Sequence, residues 1–344
     1  MAYTTINKPS EYFNTKLYTG NGSSGNAQTG IGFQPDWVWI KDRGQIAGHQ
    51  IFDSVRSATK RIQSNNISAE VTNDGVSSFD SDGFTLGANS SCNENSQNFV
   101  AWNWLGGGTG VSNTNGSIPS TVSANTTSGF SIVKWSGTSS NGTIGHGLGV
   151  APKVIICFGY SSGTNSWTVG HNSLSWNNGI YLETGAAFSL ATLWQNTAPT
   201  NNVFSVGSFS GTNSSQSMIA YCFAEKKGFS KFGSYSGNGN IDSPFIYTGF
   251  KPSYVLIKNA SNIASWVILD NKRSPFNSAD DVIRVNSDSA EAVDTTYADT
   301  DFLSNGFKLR TSDAWFNTTG ETYIYMAFAE NPLVGTNGVP ATAR

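Results

Sequence analysis

The stretch that decides the fold is GIGFQPDWVWIK, residues 30–41, because its apolar run predicts a strand buried on both faces. The phrase returns as GLGVAPKVIICF and as TGFKPSYVLIKN. Proline lacks a backbone N–H, so we expect Pro35, Pro152 and Pro252 at the first position of each strand. A glycine three residues before each proline suits the bend that enters the strand. These glycines are Gly32, Gly149 and Gly249.

Further repeated features surround this phrase at fixed spacing. An aromatic residue, a small hydroxyl residue and a glycine precede it each time, and 15 residues separate that glycine from the proline. These glycines are Gly20, Gly137 and Gly237. Each copy contains an Asp/Asn-rich turn before an alternating strand, as is typical of hairpins, and closes with an aromatic strand, FVAWNW, MIAYCF or YIYMAF. The spacing predicts three related copies in one chain.

The predicted fold class is all-β, with three tandem β-sandwich modules of jelly-roll type and about 100 residues each. We place an N-terminal arm at 1–11, the modules at 12–107, 128–226 and 229–332, and a C-terminal tail at 333–344. The Gly/Ser/Thr/Asn-rich segment 108–127 is predicted to be a flexible or turn-rich linker. An arrangement in which the copies exchange edge strands stays open.

The composition restricts the classes of function. Only 12% of residues are charged and the net charge is -3, which argues against a broad basic surface for nucleic acid. The N-terminal sequence has no secretory signal pattern, and no apolar run is long enough to insert into a membrane. The three cysteines, Cys92, Cys157 and Cys222, are expected to be reduced, buried side chains of a protein made in a cytosol.

The most regular polar feature is an Asp-x-x-Arg pair that occurs in two copies. Asp53 with Arg56, and Asp270 with Arg273, each begin 18 residues after the proline of their copy. The middle copy has His171 in this region. We favour an internal salt bridge for each pair over an anchor for a sugar hydroxyl or a partner chain, although Arg suits such recognition.

Other side chains are candidates for binding a ligand or a metal ion. Three tryptophans in polar, irregular stretches are candidates for exposed platforms that stack on sugars or on a neighbouring subunit. They are Trp176, Trp194 and Trp315. Asp294, Asp299 and Asp301 offer oxygen ligands, but their spacing matches no calcium loop. No catalytic carboxylate pair, nucleophile motif or phosphate loop is recognisable, so we expect no enzyme activity, no cofactor and no bound metal.

The amino-acid sequence along nearly the whole chain resembles that of repeat-containing virion proteins of marine tailed bacteriophages, including phages of cyanobacteria. The resemblance lies in MAYTTINKPSEYFNTKLYTGNG, in GFQPDWVWIKDR with FDSVR, SFDSDGFTLG and FVAWNW, and in IAYCFAEKKGFSKFGSYSGNG with YTGFKP, ILDNKR and YIYMAFAENP. It implies a structural component of the particle, as tail fibre, head fibre or capsid decoration, with β-sandwiches related to lectin-like jelly rolls.

From this resemblance we expect a non-enzymatic virion protein that is made in the host cytoplasm and acts by multivalent surface contacts. Its expected partners are other virion proteins, and the expected assembly is a homo-oligomer, with a trimer as one form. The alternative is a carbohydrate-binding adhesin that recognises host surface glycans. Neither hypothesis requires nucleic acid or membrane insertion.

Overall fold

The structure is a computed structural model that describes residues 3–190, 192–293, 297–335, 338 and 340–342. Within these residues nearly all regular structure is antiparallel β-sheet, which confirms the all-β class. The few helical segments are single turns, and in this part of the chain none is long and apolar enough to cross a membrane.

The strands follow one another in three groups. The first group comprises a 3₁₀ turn (Pro9–Glu11), β1 (Phe13–Thr19), β2 (Asn26–Thr29), β3 (Trp37–Asp42), β4 (Gln50–Asp53), β5 (Ser57–Ile62), β6 (Val71–Thr72), β7 (Val76–Asp80), β8 (Gly83–Leu86), α1 (Ser90–Asn93) and β9 (Asn98–Trp104). The second comprises β10 (Val111–Asn113), β11 (Ser120–Asn125), β12 (Phe130–Ser136), β13 (Gly142–Gly145), β14 (Val154–Gly159), β15 (Thr168–His171), β16 (Asn178–Tyr181), β17 (Ala187–Ser189), β18 (Val203–Val206), α2 (Ser210–Asn213) and β19 (Ser217–Phe223). The third comprises β20 (Ser230–Ser236), β21 (Phe245–Tyr247), β22 (Phe250–Asn259), β23 (Trp266–Asp270), β24 (Asp281–Arg284), β25 (Ala292–Val293), β26 (Thr300–Leu303), β27 (Gly306–Leu309) and β28 (Thr322–Pro332).

Each group builds one large sheet, and the three large sheets share a strand order. Large sheet 1 runs β1-β9-β3-β4-β5-β6, and large sheet 3 runs β20-β28-β22-β23-β24-β25. Large sheet 2 contains the corresponding run β12-β19-β14-β15-β16-β17 and is extended at one edge by β11 and β10. In every case the strand of the repeated phrase lies beside the closing aromatic strand. Each large sheet takes its strands from its own group, so the described strands show no exchange of edges.

A smaller sheet covers one face of each large sheet. The smaller sheets are β2-β8-β7, β13-β18 and β21-β27-β26. Their apolar side chains join those of their own large sheet in three separate clusters. The Asp/Asn-rich turns close hairpins at β7-β8 and β26-β27, whereas β18 of the second group pairs only with β13.

The opposite faces of the three large sheets meet in one central core. This core contains Trp37, Trp39, Trp102 and Trp104 together with aromatic and aliphatic side chains of the other two large sheets. Three rings at equivalent positions pack edge to face at its centre, with centroid separations of 5.7–6.4 Å. They are Trp104, Phe223 and Phe328, which lie opposite Trp37, Val154 and Tyr254 in their sheets.

The two-sided burial explains why the repeated phrase is a continuous apolar run rather than an alternating one. Along β3, Trp37 and Trp39 belong to the central core, and Val38 and Ile40 belong to the cluster beneath the smaller sheet. All six residues of β3 and all six of β14 are buried. The prediction of a strand buried on both faces is therefore confirmed.

The entry into this strand differs in detail from the expectation. Pro35 and Pro152 stand two residues before their strands begin, and Pro252 lies inside β22 at a bulge where the register shifts. Because proline cannot donate to the ladder, it is tolerated before the pairing starts or at a bulge. The preceding glycines have positive φ values of 92°, 70° and 81°, which confirms the expected bends. They are Gly32, Gly149 and Gly249.

The predicted linker 108–127 is not a flexible connection. Its residues form β10 and β11, and β11 pairs with β12 along six residues. The start of the segment is fixed because the backbone N–H groups of Gly106 and Gly108 donate to Oδ2 of Asp36, at 2.9 and 3.1 Å. Polar composition misled the prediction because these strands cover an otherwise open sheet edge, where side chains on one face stay in water.

Replacing Trp104 by Ala should lower the free energy of unfolding by about 3–5 kcal/mol, because it leaves a cavity where three sheets meet. Since the core is shared, we expect one cooperative transition in urea rather than three, monitored by circular dichroism and by tryptophan fluorescence. Phe276→Ala is the control, because that ring is 79% exposed and should change stability by less than about 0.5 kcal/mol. Separate transitions for the three sheets would contradict the shared core.

Candidate functional site

The two Asp-x-x-Arg pairs are internal salt bridges between fully buried side chains. Nε of Arg56 donates to Oδ2 of Asp53 at 2.6 Å, and Arg273 makes the same contact with Asp270. The other carboxylate oxygen accepts backbone N–H groups of the following turn in both cases. Each Arg also reaches a glutamate, Glu70 or Glu291. The pairs therefore clamp the turn after β4 and β23, and no side-chain surface remains for a sugar or a partner chain.

The aspartates also accept hydrogen bonds from neighbouring sheets. Oη of Tyr221 in large sheet 2 donates to Asp53 in large sheet 1 at 2.8 Å, and Nε1 of Trp102 in large sheet 1 donates to Asp270 in large sheet 3 at 3.0 Å. His171 completes the set, with Nε2 lying 3.3 Å from the carbonyl of Tyr325 in large sheet 3. We call Asp53, His171 and Asp270 the inner ring, because they lie opposite the equivalent residues Trp37, Val154 and Tyr254.

The change from Asp to His in the inner ring accompanies a change at the equivalent position of the closing strand. Trp102 and Tyr221 carry side-chain donors, so an acceptor carboxylate faces each of them. The equivalent position in β28 is Met326, which has no such donor. His171 instead donates to a backbone carbonyl, and every member of the ring is satisfied.

A second set of contacts repeats four residues earlier in the sequence. We call His49, Trp167 and Trp266 the outer ring. Nε2 of His49 lies 3.0 Å from the carbonyl of Arg284, while the indole N–H groups of Trp167 and Trp266 donate to the carbonyls of Gln63 and Tyr181 at 2.9 and 3.0 Å. The three contacts join large sheet 1 to large sheet 3, large sheet 2 to large sheet 1, and large sheet 3 to large sheet 2. The outer ring therefore links all three large sheets in a cycle.

All three histidines are neutral bridges. In each, Nδ1 accepts an N–H and Nε2 faces a carbonyl, so Nε2 carries the proton. Burial lowers the pKa of His49 to about 3, with the nearby Lys41 charge adding to the effect, and burial lowers the pKa of His171 to about 4. Burial also lowers the pKa of His146. A proton on Nδ1 would break the accepted hydrogen bond in each case.

The three candidate tryptophans have different surroundings. Trp194 is only 1% exposed, so its prediction as an exposed platform is wrong; it packs edge to face on Trp176 and Phe204. Gly170 makes room for this pair, since a Cβ there would approach both indoles within 2.9 Å. Trp176 is partly buried against the same cluster. Trp315 combines partial exposure with open space beside the ring.

Trp315 lies between two surface clefts. One has a volume of about 540 Å³ and is lined by Asn259, Asn262, Ile263, Ala264, Ala314, Thr318 and Glu321 as well as Trp315. The other, of about 340 Å³, is lined by Arg284, Tyr297, Asp313 and Trp315. The guanidinium carbon of Arg284 lies 4.3 Å from the centroid of the indole, which is cation–π contact distance.

The acidic residues considered for calcium are divided between other contacts. Asp299 accepts a hydrogen bond from Ser278, and Asp301 pairs with Arg310 at 2.7 Å. Asp294 lies outside the described residues. Among the residues that the structure does describe, no group of three or more His, Cys, Asp or Glu side chains is arranged to hold a metal ion.

The sequence analysis missed three asparagines that organise the loop before each closing strand. Each side-chain amide donates to oxygens of the loop that follows β1, β12 or β20. The amides of Asn93 and Asn317 also donate to the carbonyls of Gly87 and Thr311. They are Asn93, Asn213 and Asn317, and all three are buried. Their regular position four or five residues before β9, β19 and β28 is a signal that the sequence contains.

The sheets and interface residues define an all-β protein in which three large sheets share one core. Residues 8–332 match a family described as a domain of unknown function, DUF7483, and the chain belongs to this family. No curated protein and no solved structure matches the chain. The matched span contains all three large sheets, in agreement with a core that none of them completes alone.

Arg56→Leu should lower the free energy of unfolding by about 3–5 kcal/mol, because it leaves the Asp53 carboxylate buried without its cation. Lys8→Leu is a matched control, since Lys8 and Glu11 form a pair with the same three-residue spacing but exposed side chains. The control should change stability by less than about 1 kcal/mol in urea denaturation. Similar losses for the two variants would contradict a structural role for the buried pair.

Stability should fall as the pH is lowered from about 6.5 to 4. In this window the unfolded chain binds a proton at His171, whereas the folded protein, in which the pKa is about 4, does not. The difference corresponds to a loss on the order of 3 kcal/mol for this residue. Urea denaturation at several pH values should show a shallower dependence for His171→Gln than for the unchanged protein. An equal slope in both proteins would rule out a contribution from His171.

Proposed function

We propose that the chain consists of three tandem related β-sandwich modules, of jelly-roll and lectin-like type, at 12–107, 128–226 and 229–332. In this proposal the modules stand in a pseudo-threefold arrangement. The shared strand order, the three central rings and the two cyclic sets of interface contacts support it. A single chain then has the shape that three copies of a smaller sandwich protein would form.

We further propose that the protein is a non-enzymatic structural component exposed on a phage particle, as capsid decoration, head fibre or tail fibre. The observation that carries this proposal is the use of the most regular polar residues for holding sheets together. The inner-ring and outer-ring side chains are buried and satisfied by contacts between sheets. Polar side chains used in this way make the chain rigid, which suits a structural component. This role agrees with that of the virion proteins that the sequence resembles.

The proposed mechanism is multivalent contact by a rigid body. Several weak sites on one stiff scaffold raise avidity without a tight single site, and several copies on one particle extend the effect. Within the chain the pseudo-threefold interfaces are closed, so one copy could occupy a threefold position of a capsid. The alternative assembly is a homotrimer of complete chains at a fibre tip.

The test is the presence of the protein on purified particles. Particles of a phage that encodes this chain should contain it after density-gradient banding, in a copy number that mass spectrometry can relate to the major capsid protein. Immunogold electron microscopy should then distinguish head from tail. Absence of the chain from banded particles, when it is abundant in the infected lysate, would overturn the proposal.

A second candidate function is that of a carbohydrate-binding adhesin for host-cell recognition. It is favoured by one specific observation, the partly exposed Trp315 with open clefts on both sides. Aromatic rings with an apolar face and nearby polar groups suit the alternating apolar and hydroxyl surfaces of sugars. The two functions are compatible, since a virion protein can carry a recognition site.

A further inference from the structure

We propose that the larger cleft beside Trp315 binds a neutral, hydroxyl-rich glycan. The inference deepens the second of the two proposed functions and rests on it. It assigns the class of ligand and the residues that would recognise it, and it does not depend on where the protein sits on a particle.

The cleft offers an apolar platform next to open volume. Its size of about 540 Å³ falls in the range of small-molecule sites. Trp315 forms part of the wall, and its ring is held in place by the Arg284 guanidinium and by packing against the core of the third sandwich. A fixed indole loses little conformational entropy when a sugar ring stacks on it.

The polar side of the cleft is pre-organised by hydrogen bonds within the protein. The side-chain amides of Asn259 and Asn262 both donate to the carboxylate of Glu321. The Asn259 side-chain oxygen accepts the backbone N–H groups of Ser261 and Asn262, which fixes the turn. Each Glu321 oxygen has a second lone pair that can accept a hydroxyl proton. The Glu321 carboxylate, held in this way, can accept hydrogen bonds from neighbouring sugar hydroxyls without rearranging.

A buried lysine adds rigidity to the same loop. Nζ of Lys258 donates to the carbonyls of Asn259 and Asn262. Lys41 makes the same contacts in large sheet 1, with the carbonyls of Asp42 and Gln45. Large sheets 1 and 3 therefore share this rigid loop, which leaves the residues at its surface free to differ between them.

Trp315, in the loop before the closing strand, also differs between the sheets. The buried asparagine of the loop before the closing strand gives the alignment, and Trp315 stands two residues before Asn317. The corresponding residues before Asn93 and Asn213 are Ser91 and Gly211. An aromatic residue at this position is therefore not a requirement of the framework, and its presence only in the third sandwich points to a local purpose.

Charge favours a neutral ligand over an acidic one. Glu321 faces the larger cleft and Asp313 faces the smaller one, on the two sides of Trp315. A uronic acid would bring its carboxylate close to one of them, and like charges at short distance repel each other. The Arg284 guanidinium is engaged with the indole ring on the smaller cleft's side.

Isothermal titration calorimetry with the full chain tests this assignment. The probes are neutral tetrasaccharides of gluco, manno and galacto configuration, and uronic-acid tetrasaccharides of matched linkage. We expect at least one neutral probe to bind, with uronic acids weaker by about tenfold. Trp315→Ala should weaken binding of that probe by at least about tenfold, and Trp315→Phe should retain part of the affinity.

Two isoleucine variants test the cleft without relying on Trp315→Ala, which could lose binding because it fails to fold. Ile263 lines the cleft, and Ile46 occupies the equivalent loop of large sheet 1; both are 79% exposed, so neither replacement by Ala should disturb folding. Ile263→Ala should weaken binding about threefold, whereas Ile46→Ala should leave it unchanged.

Three results would overturn the inference: no binding of any neutral probe at millimolar concentration, uronic acids binding as well as neutral probes, or equal affinity of the two isoleucine variants. None of these results would bear on the structural proposal, because that proposal is tested by the presence of the chain on particles and not by glycan binding. Conversely, absence from particles together with specific neutral-glycan binding would leave the cleft assignment intact.

Discussion

The fold depends on the burial of aromatic side chains between three sheets, none of which can cover its inner face alone. Trp104, Phe223 and Phe328 meet edge to face at the centre, each supplied by the closing strand of a different sheet. The smaller sheets cover only the outer faces. Removing one group of strands would therefore expose an apolar surface on the other two, which is a far larger penalty than any single hydrogen bond could offset.

Such a core imposes a second condition, because polar groups at the sheet interfaces must be satisfied without water. At the inner ring the chain meets this condition by changing the residues that contact each other. Asp53 accepts from the hydroxyl of Tyr221 and Asp270 accepts from the indole N–H of Trp102. His171 instead donates to a backbone carbonyl of large sheet 3, where the position equivalent to Trp102 and Tyr221 is Met326. The same requirement keeps the histidines neutral. Polar residues that the sequence offers as binding candidates, such as Asp53 and Asp270, thus serve the interfaces between sheets.

Much of the fold could be predicted from the repeated sequence segments and their spacing along the chain. The phrase around Pro35 identified the doubly buried strand, and the positive-φ glycines before it had the expected role. The linker was misjudged because its polar composition is also that of an edge strand with one face in water. Trp194 was misjudged for a related reason, since polar neighbours in sequence say little about a ring that inserts beside Gly170 from another part of the chain.

The sequence by itself determined the β class, the repeated strand and the equivalence of Asp53 and Asp270, because these depend on local conformation and on spacing along the chain. The tertiary structure decided what those residues contact. How the sheets pack face to face decides whether a carboxylate lines a solvent cleft or accepts a hydrogen bond from a tyrosine of another sheet. Packing brings together residues such as Asp53 and Tyr221, which are far apart in the chain, and no local pattern records their approach.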